Sequence, residues 1–158
     1  LLDGVVTYTP TADYNGDDSF TYTVGDGTET ATGTVSVTVT AVNDAPTASA
    51  GSIATTEDTA GTLDLSTLSE DVDEDTLTYT VAAPTNGKVE LSGGIVTYTP
   101  TADYNGDDSF TYTVSDGTET ATGTVSVTVT AFNDAPTASA DSMATTEGTA
   151  GTLDLSTL

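Results

Sequence analysis

Through most of this chain apolar residues alternate with Thr or Ser at every second position. That period places the apolar set on one face of an extended strand and matches no helical face. In FTYTV, Phe110, Tyr112 and Val114 share a face. In GTVSVTVT, Val125, Val127 and Val129 point one way and Thr124, Ser126, Thr128 and Thr130 the other. LTYTV and IVTYT repeat the pattern through Leu77, Tyr79, Val81, Val96 and Tyr98. β-branched and aromatic residues favour strands, so propensity agrees with pattern. Turn residues separate the runs. Asn86-Gly87 reads as a hairpin turn and Gly93-Gly94 as another. TADYNGDDS reads as a longer corner, and Asp116-Gly117 leads the chain into a final strand.

The pattern also repeats on a larger scale. Residues 1–68 recur as residues 91–158 with eight differences, from Leu2/Ser92 to Asp58/Gly148. A period of 90 divides the chain into the C-terminal part of a first repeat (1–46), a complete repeat (47–136) and the N-terminal part of a third (137–158). Asn43-Asp44-Ala45-Pro46 and Asn133-Asp134-Ala135-Pro136 are the joints, where Pro ends the sheet and stiffens the connection. About seven strands and no helix in the middle unit predict an all-β chain of tandem Greek-key β-sandwiches of immunoglobulin type.

Charge narrows the partners. The 25 acidic residues face one cation, Lys88, for a net charge of −24, which leaves no basic surface for nucleic acid or for an anionic membrane. No segment reads as a membrane insertion. The acids sit in short clusters between alternating segments, as in acidic loops of a folded β protein rather than a disordered acidic run. Their mutual repulsion calls for a bound multivalent cation. The chain has no Cys, His or Trp, so the usual nucleophiles, general bases and transition-metal ligands are missing. Any metal is therefore a hard cation held by oxygen, and the chain reads as no enzyme.

Calcium takes six to eight oxygens from converging loops. Candidate donors are Glu57 in TTEDT, Asp71 and Asp73 in SEDVDED, Asp103 in ADYNGDD, Asp116 in VSDG, and the joint residues Asn43, Asp44, Asn133 and Asp134. Asp107-Asp108 reads equally as a ligand pair or as a turn cap. Tyr104 reads as a corner tyrosine that locks its loop, and Asp58 as solvated, since its counterpart is Gly148.

The order of these groups resembles cadherin domains, and the strings TYTPTADYNGDDSFTYTVSDG and NDAP resemble the bacterial cadherin-like tandem repeats of large surface adhesins. The resemblance implies calcium between successive modules. Glu57, Asp103 and Asn133-Asp134 would serve one joint. Asp13, Asn43 and Asp44 would meet Asp71, Asp73 and Asp116 at the other. Ala41, Ala131 and Ala45 stand where the family pattern has Asp, Asp and Asn, which implies one or two ions per joint rather than a fuller set.

The expected function is therefore a structural extender in a secreted or cell-surface adhesin, made rigid by calcium, with further copies of the repeat in cis or in trans as partners. Two other readings compete with it. One is a self-assembling extracellular fibre subunit whose part-repeats are completed by strands of neighbouring chains. The other is a glycan- or ligand-binding module, which would need an aromatic-lined cleft that breaks the repeat symmetry.

Overall fold

A computed structural model describes residues 4–154 of the chain. In order these hold β1 (Gly16–Gly25), β2 (Thr30–Val39), β3 (Thr47–Ala48), β4 (Gly51–Thr56), β5 (Gly61–Asp64) and a 3₁₀ turn at Leu65–Leu68. There follow β6 (Ser69–Glu70), β7 (Thr78–Val81), β8 (Gly87–Ser92), β9 (Ile95–Pro100), β10 (Gly106–Ser115) and β11 (Thr120–Thr130). β1 and β2 form a hairpin of their own. The rest fold into a sandwich with sheet orders β4-β11-β10-β7 and β5-β9-β8, with β3 and β6 paired beside them. Every pairing is antiparallel except β4 with β11, where Ile53 lies beside Val127.

The period-two pattern decides which side chains meet between the sheets. Phe110, Tyr112 and Val114 of β10 are buried together with Val125, Val127 and Val129 of β11, while Thr124, Ser126 and Thr128 face outward. Ile53 joins them from β4 in the same sheet, and Leu65, Val96 and Tyr98 close the core from the opposite side. Tyr112 stands opposite Gly123 in the ladder, and its ring takes the space a side chain there would need. A Cβ at 123 would lie 2.4 Å from that ring. The Tyr112 hydroxyl donates to the Ser49 and Leu68 carbonyls at 2.7 and 3.2 Å. Gly93 and Gly94, at φ 56° and 85°, make the left-handed turn that a two-residue hairpin between β8 and β9 requires.

Two expectations need correction. Asn86-Gly87 is no hairpin turn: β7 and β8 belong to different sheets, Gly87 already pairs with Pro100, and residues 82–86 cross from one sheet to the other. A carboxylate far along the chain holds that crossing. Asp108 accepts the amides of Thr85 (3.2 Å) and Asn86 (2.8 Å), and also the Tyr98 hydroxyl (2.9 Å) and its neighbour Ser109 N–H (2.8 Å). Burial pushes the Asp108 carboxyl up, but these donors outweigh it and hold the group below the usual carboxylate range. Burial, and then the bond to Asp108, push the Tyr98 hydroxyl up. Asp108 is thus a structural anchor. The second correction is the 3₁₀ turn in a unit expected to hold no helix. Asp64 caps it by accepting the Ser66 N–H (2.9 Å) and hydroxyl (2.7 Å), and this carries Leu65 into the core.

Candidate metal centre

The first joint gathers acids from three separate stretches. Asp13 lies in the corner before β1, Asn43 and Asp44 in the connection after β2, and Asp71 and Asp73 in the loop after β6. Asp13 adopts φ 60°, a left-handed conformation that Asp tolerates better than bulkier residues. It lines one cleft with Asp44 and Asp73, and an adjoining one with Asp44 and Asp71. The loop folds on itself because Asp71 Oδ1 accepts the amides of Asp73 (3.0 Å) and Asp75 (3.3 Å). The carboxylates of Asp71, Asp73 and Asp75 thereby come within 4.8 Å of one another.

The connection is tied to this loop and to the β10–β11 turn. The Asp44 amide donates to Asp73 Oδ2 at 2.8 Å. Asn43 Nδ2 donates to Asp116 Oδ2 at 3.0 Å and to Glu119 Oε2 at 3.4 Å. Asp116 is fixed from its other side by the amides of Thr118 and Glu119, each at 2.6 Å. The bond from Asn43, followed by those amides, holds its carboxyl below the ordinary range. Asp44 moves the other way. Desolvation, and then the charges of Asp13, Asp73, Glu119 and Asp71, push its carboxyl up.

The second joint gathers the acids that precede a connection. Glu57 is buried and accepts the Phe132 amide and, at 3.4 Å, Asn105 Nδ2. Asp103, at φ 59°, donates its amide to Asp58 Oδ1 at 3.4 Å. Asp58, Asp103 and Asp134 form a carboxylate group within 4.8 Å. Desolvation, and then Glu57, Asp103 and Asp58, push the Asp134 carboxyl up. Asn133 turns its amide to the Asp134 carbonyl at 3.1 Å, as Asn43 does to Asp44 at 3.3 Å.

Asp58 and Asp75 join these groups beyond the expected donors. Gly148 replaces Asp58 in the other copy, so the repeat gives no signal for it. Asp75 extends Asp71-x-Asp73 by one more alternate position, a signal the spacing carries. Tyr104, in contrast, locks its corner as read, donating to the Asp107 carbonyl at 2.6 Å and receiving Asn86 Nδ2 at 3.1 Å.

Two features test the fit of a calcium ion. Asp71 Oδ2 is buried without a hydrogen-bond partner, and an orphaned carboxylate oxygen there is the kind of donor a cation satisfies. The donors around it are all oxygens and mostly carboxylates, as a hard cation requires. The residues therefore fit calcium.

An immunoglobulin-like sandwich flanked by acidic joints defines the class of module. The bacterial Ig domain model matches residues 43–128, more than half of the chain, and the chain belongs to that family. A cadherin-like domain model matches residues 2–40, and cadherin-like domains generally bind calcium. No curated protein matches the chain. Among solved structures it is similar to the endo-fucoidan hydrolase MfFcnA4 from glycoside hydrolase family 107, at 26% identity and TM-score 0.47, over 78% of this chain and 20% of that one. A second endo-fucoidan hydrolase of that family, MfFcnA9, aligns at 20% identity and TM-score 0.44, over 77% of this chain and 23% of that one. The titin domains z1z2 in complex with telethonin align at 10% identity and TM-score 0.32, over 74% of this chain and 62% of that one. The chain thus spans about a fifth of the length of the hydrolases. Bacterial Ig-like domains are typically extracellular or surface modules. Among the described residues no helix is long and apolar enough to cross a membrane.

Proposed function

We propose that this chain is a spacer from a secreted or cell-surface bacterial adhesin, in which calcium at the joints holds successive sandwiches in a stiff line. The observation that carries the reading is the first joint. Asp13 of a preceding corner and Asp44 of a connection line shared clefts with Asp71 and Asp73 of the following sandwich, and Asp71 carries an orphaned buried oxygen. A cation at that point links two modules and relieves their repulsion. Asp71 and Asp73 would hold it from one module, Asp13 from the other, and Asn43 and Asp44 from the connection. At the second joint Glu57, Asp58, Asp103 and Asp134 would do the same, with Asn133 orienting the connection. The role is mechanical rather than catalytic, and the natural neighbours of each module are further copies of it. Calcium supplies charge neutralisation and a link between modules.

The test is a calorimetric calcium titration with a chelator control, paired with small-angle scattering. Binding and an extended, less variable shape in calcium are expected. A heat trace and a scattering profile identical in calcium and in chelator would sink the reading.

A further inference from the structure

Within the complete repeat β8 is an edge strand, paired with β9 on one side and, among the described residues, with no strand on the other. Its register with β9 runs unbroken from Gly87 opposite Pro100 to Ser92 opposite Ile95, the pair that closes the Gly93-Gly94 turn. In an antiparallel ladder, pairs that exchange main-chain bonds alternate with pairs that do not, and the pair closing a two-residue turn exchanges them. Ser92, Glu90 and Lys88 therefore bond to β9. Two residues further on, the Thr101 amide donates to the Asn86 carbonyl at 2.9 Å, as this alternation requires. Gly87, Val89 and Leu91 thus turn their N–H and C=O groups away from β9, toward the place where another strand would lie.

The same edge carries no net charge. Residues 76–102, which include β7, β8 and β9, hold one cation and one acid, Lys88 and Glu90, and every other acid of the chain lies outside them. Lys88 bridges to Glu90 on its own strand, and both side chains stay well exposed, at 72% and 66%. An exposed pair of this kind contributes little to the stability of the strand that carries it. Lysine at a sheet edge commonly keeps other strands away, because its charge goes unanswered there. A strand with the order Lys-Val-Glu answers it. On the opposite face of β8, Val89 and Leu91 pack against the core but are only half-buried.

We propose that β8 pairs antiparallel with β8 of a second copy about a two-fold axis at Val89, joining two chains side by side through one continuous sheet. Val89 then faces Val89 of the other copy and Gly87 faces its Leu91, and these pairs use the outward N–H and C=O groups. Lys88 falls opposite Glu90 of the other copy, and Glu90 opposite its Lys88, at pairs that exchange no main-chain bonds and bring side chains closest. Each charge gains a second opposite charge beside it, across the axis. Charge also selects this register from its alternatives. An axis at Glu90 would set two glutamates face to face and one at Lys88 two lysines, while an axis at Leu91 or Gly87 would leave every charge opposite an uncharged residue. Among the described strands only β8 carries both signs, so within this chain only a copy of β8 completes the pattern. Pairing would also cover the exposed part of Val89 and Leu91. The contact uses no residue of either joint, so it stands apart from the calcium reading.

The test follows the mass of the intact chain by analytical ultracentrifugation at about 0.15 M salt, which screens the acids elsewhere on the two copies. A dimer should form between roughly 10 µM and 1 mM, as suits a small transient interface, and to the same extent in calcium and in chelator. Lys88→Glu and Glu90→Lys should each weaken it about tenfold, because each sets like charges opposite one another. An equimolar mixture of the two should dimerise within about threefold of the parent, since every opposed pair then joins unlike charges. Lys88→Cys and Glu90→Cys, mixed and mildly oxidised, should cross-link to each other faster than either does to itself, because only the mixed pair stands directly opposite and within disulfide reach. A chain that stays monomeric throughout, a charge-swapped mixture that associates no better than its components, cross-linking as fast within each variant as between them, or a dimer that vanishes in chelator would each overturn the proposal. Calcium binding by a strictly monomeric chain would overturn it while leaving the spacer reading intact. A dimer with these properties in a chain that binds no calcium would support it and sink the spacer reading.

Discussion

The chain contains one hairpin sequence twice, and the two copies differ in almost everything except their backbone. β1–β2 and β10–β11 pair in the same register, from Gly16 opposite Val39 and Gly106 opposite Val129 to the turn. Corner tyrosines lock both, Tyr14 onto the Asp17 carbonyl at 2.7 Å and Tyr104 onto the Asp107 carbonyl at 2.6 Å. These local features follow from local sequence and need nothing else. Burial is different. The Tyr112 ring is sealed between Gly123 and the 3₁₀ segment, while the Tyr22 ring lies in the open. The hairpin is a local device, and the core is a property of the elements packed against it.

The largest break in this comparison should come from removing the ring in each copy. Tyr112→Ala opens a cavity in a filled core and strips a donor from the Ser49 and Leu68 carbonyls, so it should cost about 3–5 kcal/mol. Tyr22→Ala should leave the stability of the sandwich within about 0.5 kcal/mol of the parent. Urea unfolding followed by circular dichroism measures both. Equal losses would mean that the first hairpin is packed as firmly as the second.

Next comes the carboxylate that anchors the crossing between sheets. Asp108 accepts four donors, two from the 85–86 loop, whereas Asp18 accepts the Tyr8 hydroxyl at 2.7 Å and its neighbour Ser19 N–H at 2.7 Å. Asp108→Ala orphans the loop amides and should cost about 1–2 kcal/mol once its partial exposure is allowed for. Asp18→Ala should leave the sandwich unchanged. The pH dependence has a definite sign. The Asp108 carboxyl sits below its ordinary range in the folded chain, so its stabilisation is fully present above the unfolded value, about pH 4. It disappears as pH falls through the lower folded value. The parent should therefore lose more stability than Asp108→Ala on acidification below about pH 4. Parallel pH profiles for the two would remove Asp108 from that role.

These two residues also mark where sequence reading succeeds and where it stops. Strands β7, β9, β10 and β11 were legible because one face is buried and the other wet, which writes the fold into alternate letters. The 82–86 crossing was not. Asn86-Gly87 has hairpin chemistry, and the group that overrides it, Asp108, lies 22 residues away and acts only once the sheets have stacked. The acids were legible as clusters because hard-cation chemistry needs several oxygens. Their membership was less so: Asp58 joins Asp103 through a tertiary contact, and its absence from the other copy argued against it. A repeat shows what every copy shares and hides what one copy has added.

At the joints the same contrast becomes one of donors. Asp71→Asn keeps the hydrogen-bonding shape of the loop, since its one side-chain oxygen can still accept the Asp73 and Asp75 amides, but it replaces the orphaned oxygen by an amide nitrogen and removes the charge. Calcium binding at the first joint should weaken about tenfold, with little change at the second. The melting temperature in chelator should rise slightly, because like charges are relieved. Two-site calorimetry separates the joints. Equal weakening at both would mean that Asp71 acts through the fold and not on the ion.

The smallest effect belongs to a substitution the chain has already made once. Asp58→Gly gives the complete repeat the residue its counterpart carries in the third, Gly148, and two opposing terms decide its sign. Asp58 sits at φ 61° and Gly148 at φ 77°, so glycine removes a backbone penalty there of order 0.5–1 kcal/mol. It also removes one of three carboxylates that crowd Asp134. Without calcium both terms favour the variant, and its melting temperature should lie at or slightly above that of the parent. With calcium the lost donor opposes them, and affinity at the second joint should fall roughly threefold, less than for Asp71→Asn because Asp58 is exposed and its charge is screened. The melting curves of variant and parent should therefore converge or cross as calcium is added. A constant offset at every calcium concentration would show that Asp58 meets no ion, and that its contact with Asp103 serves only the turn.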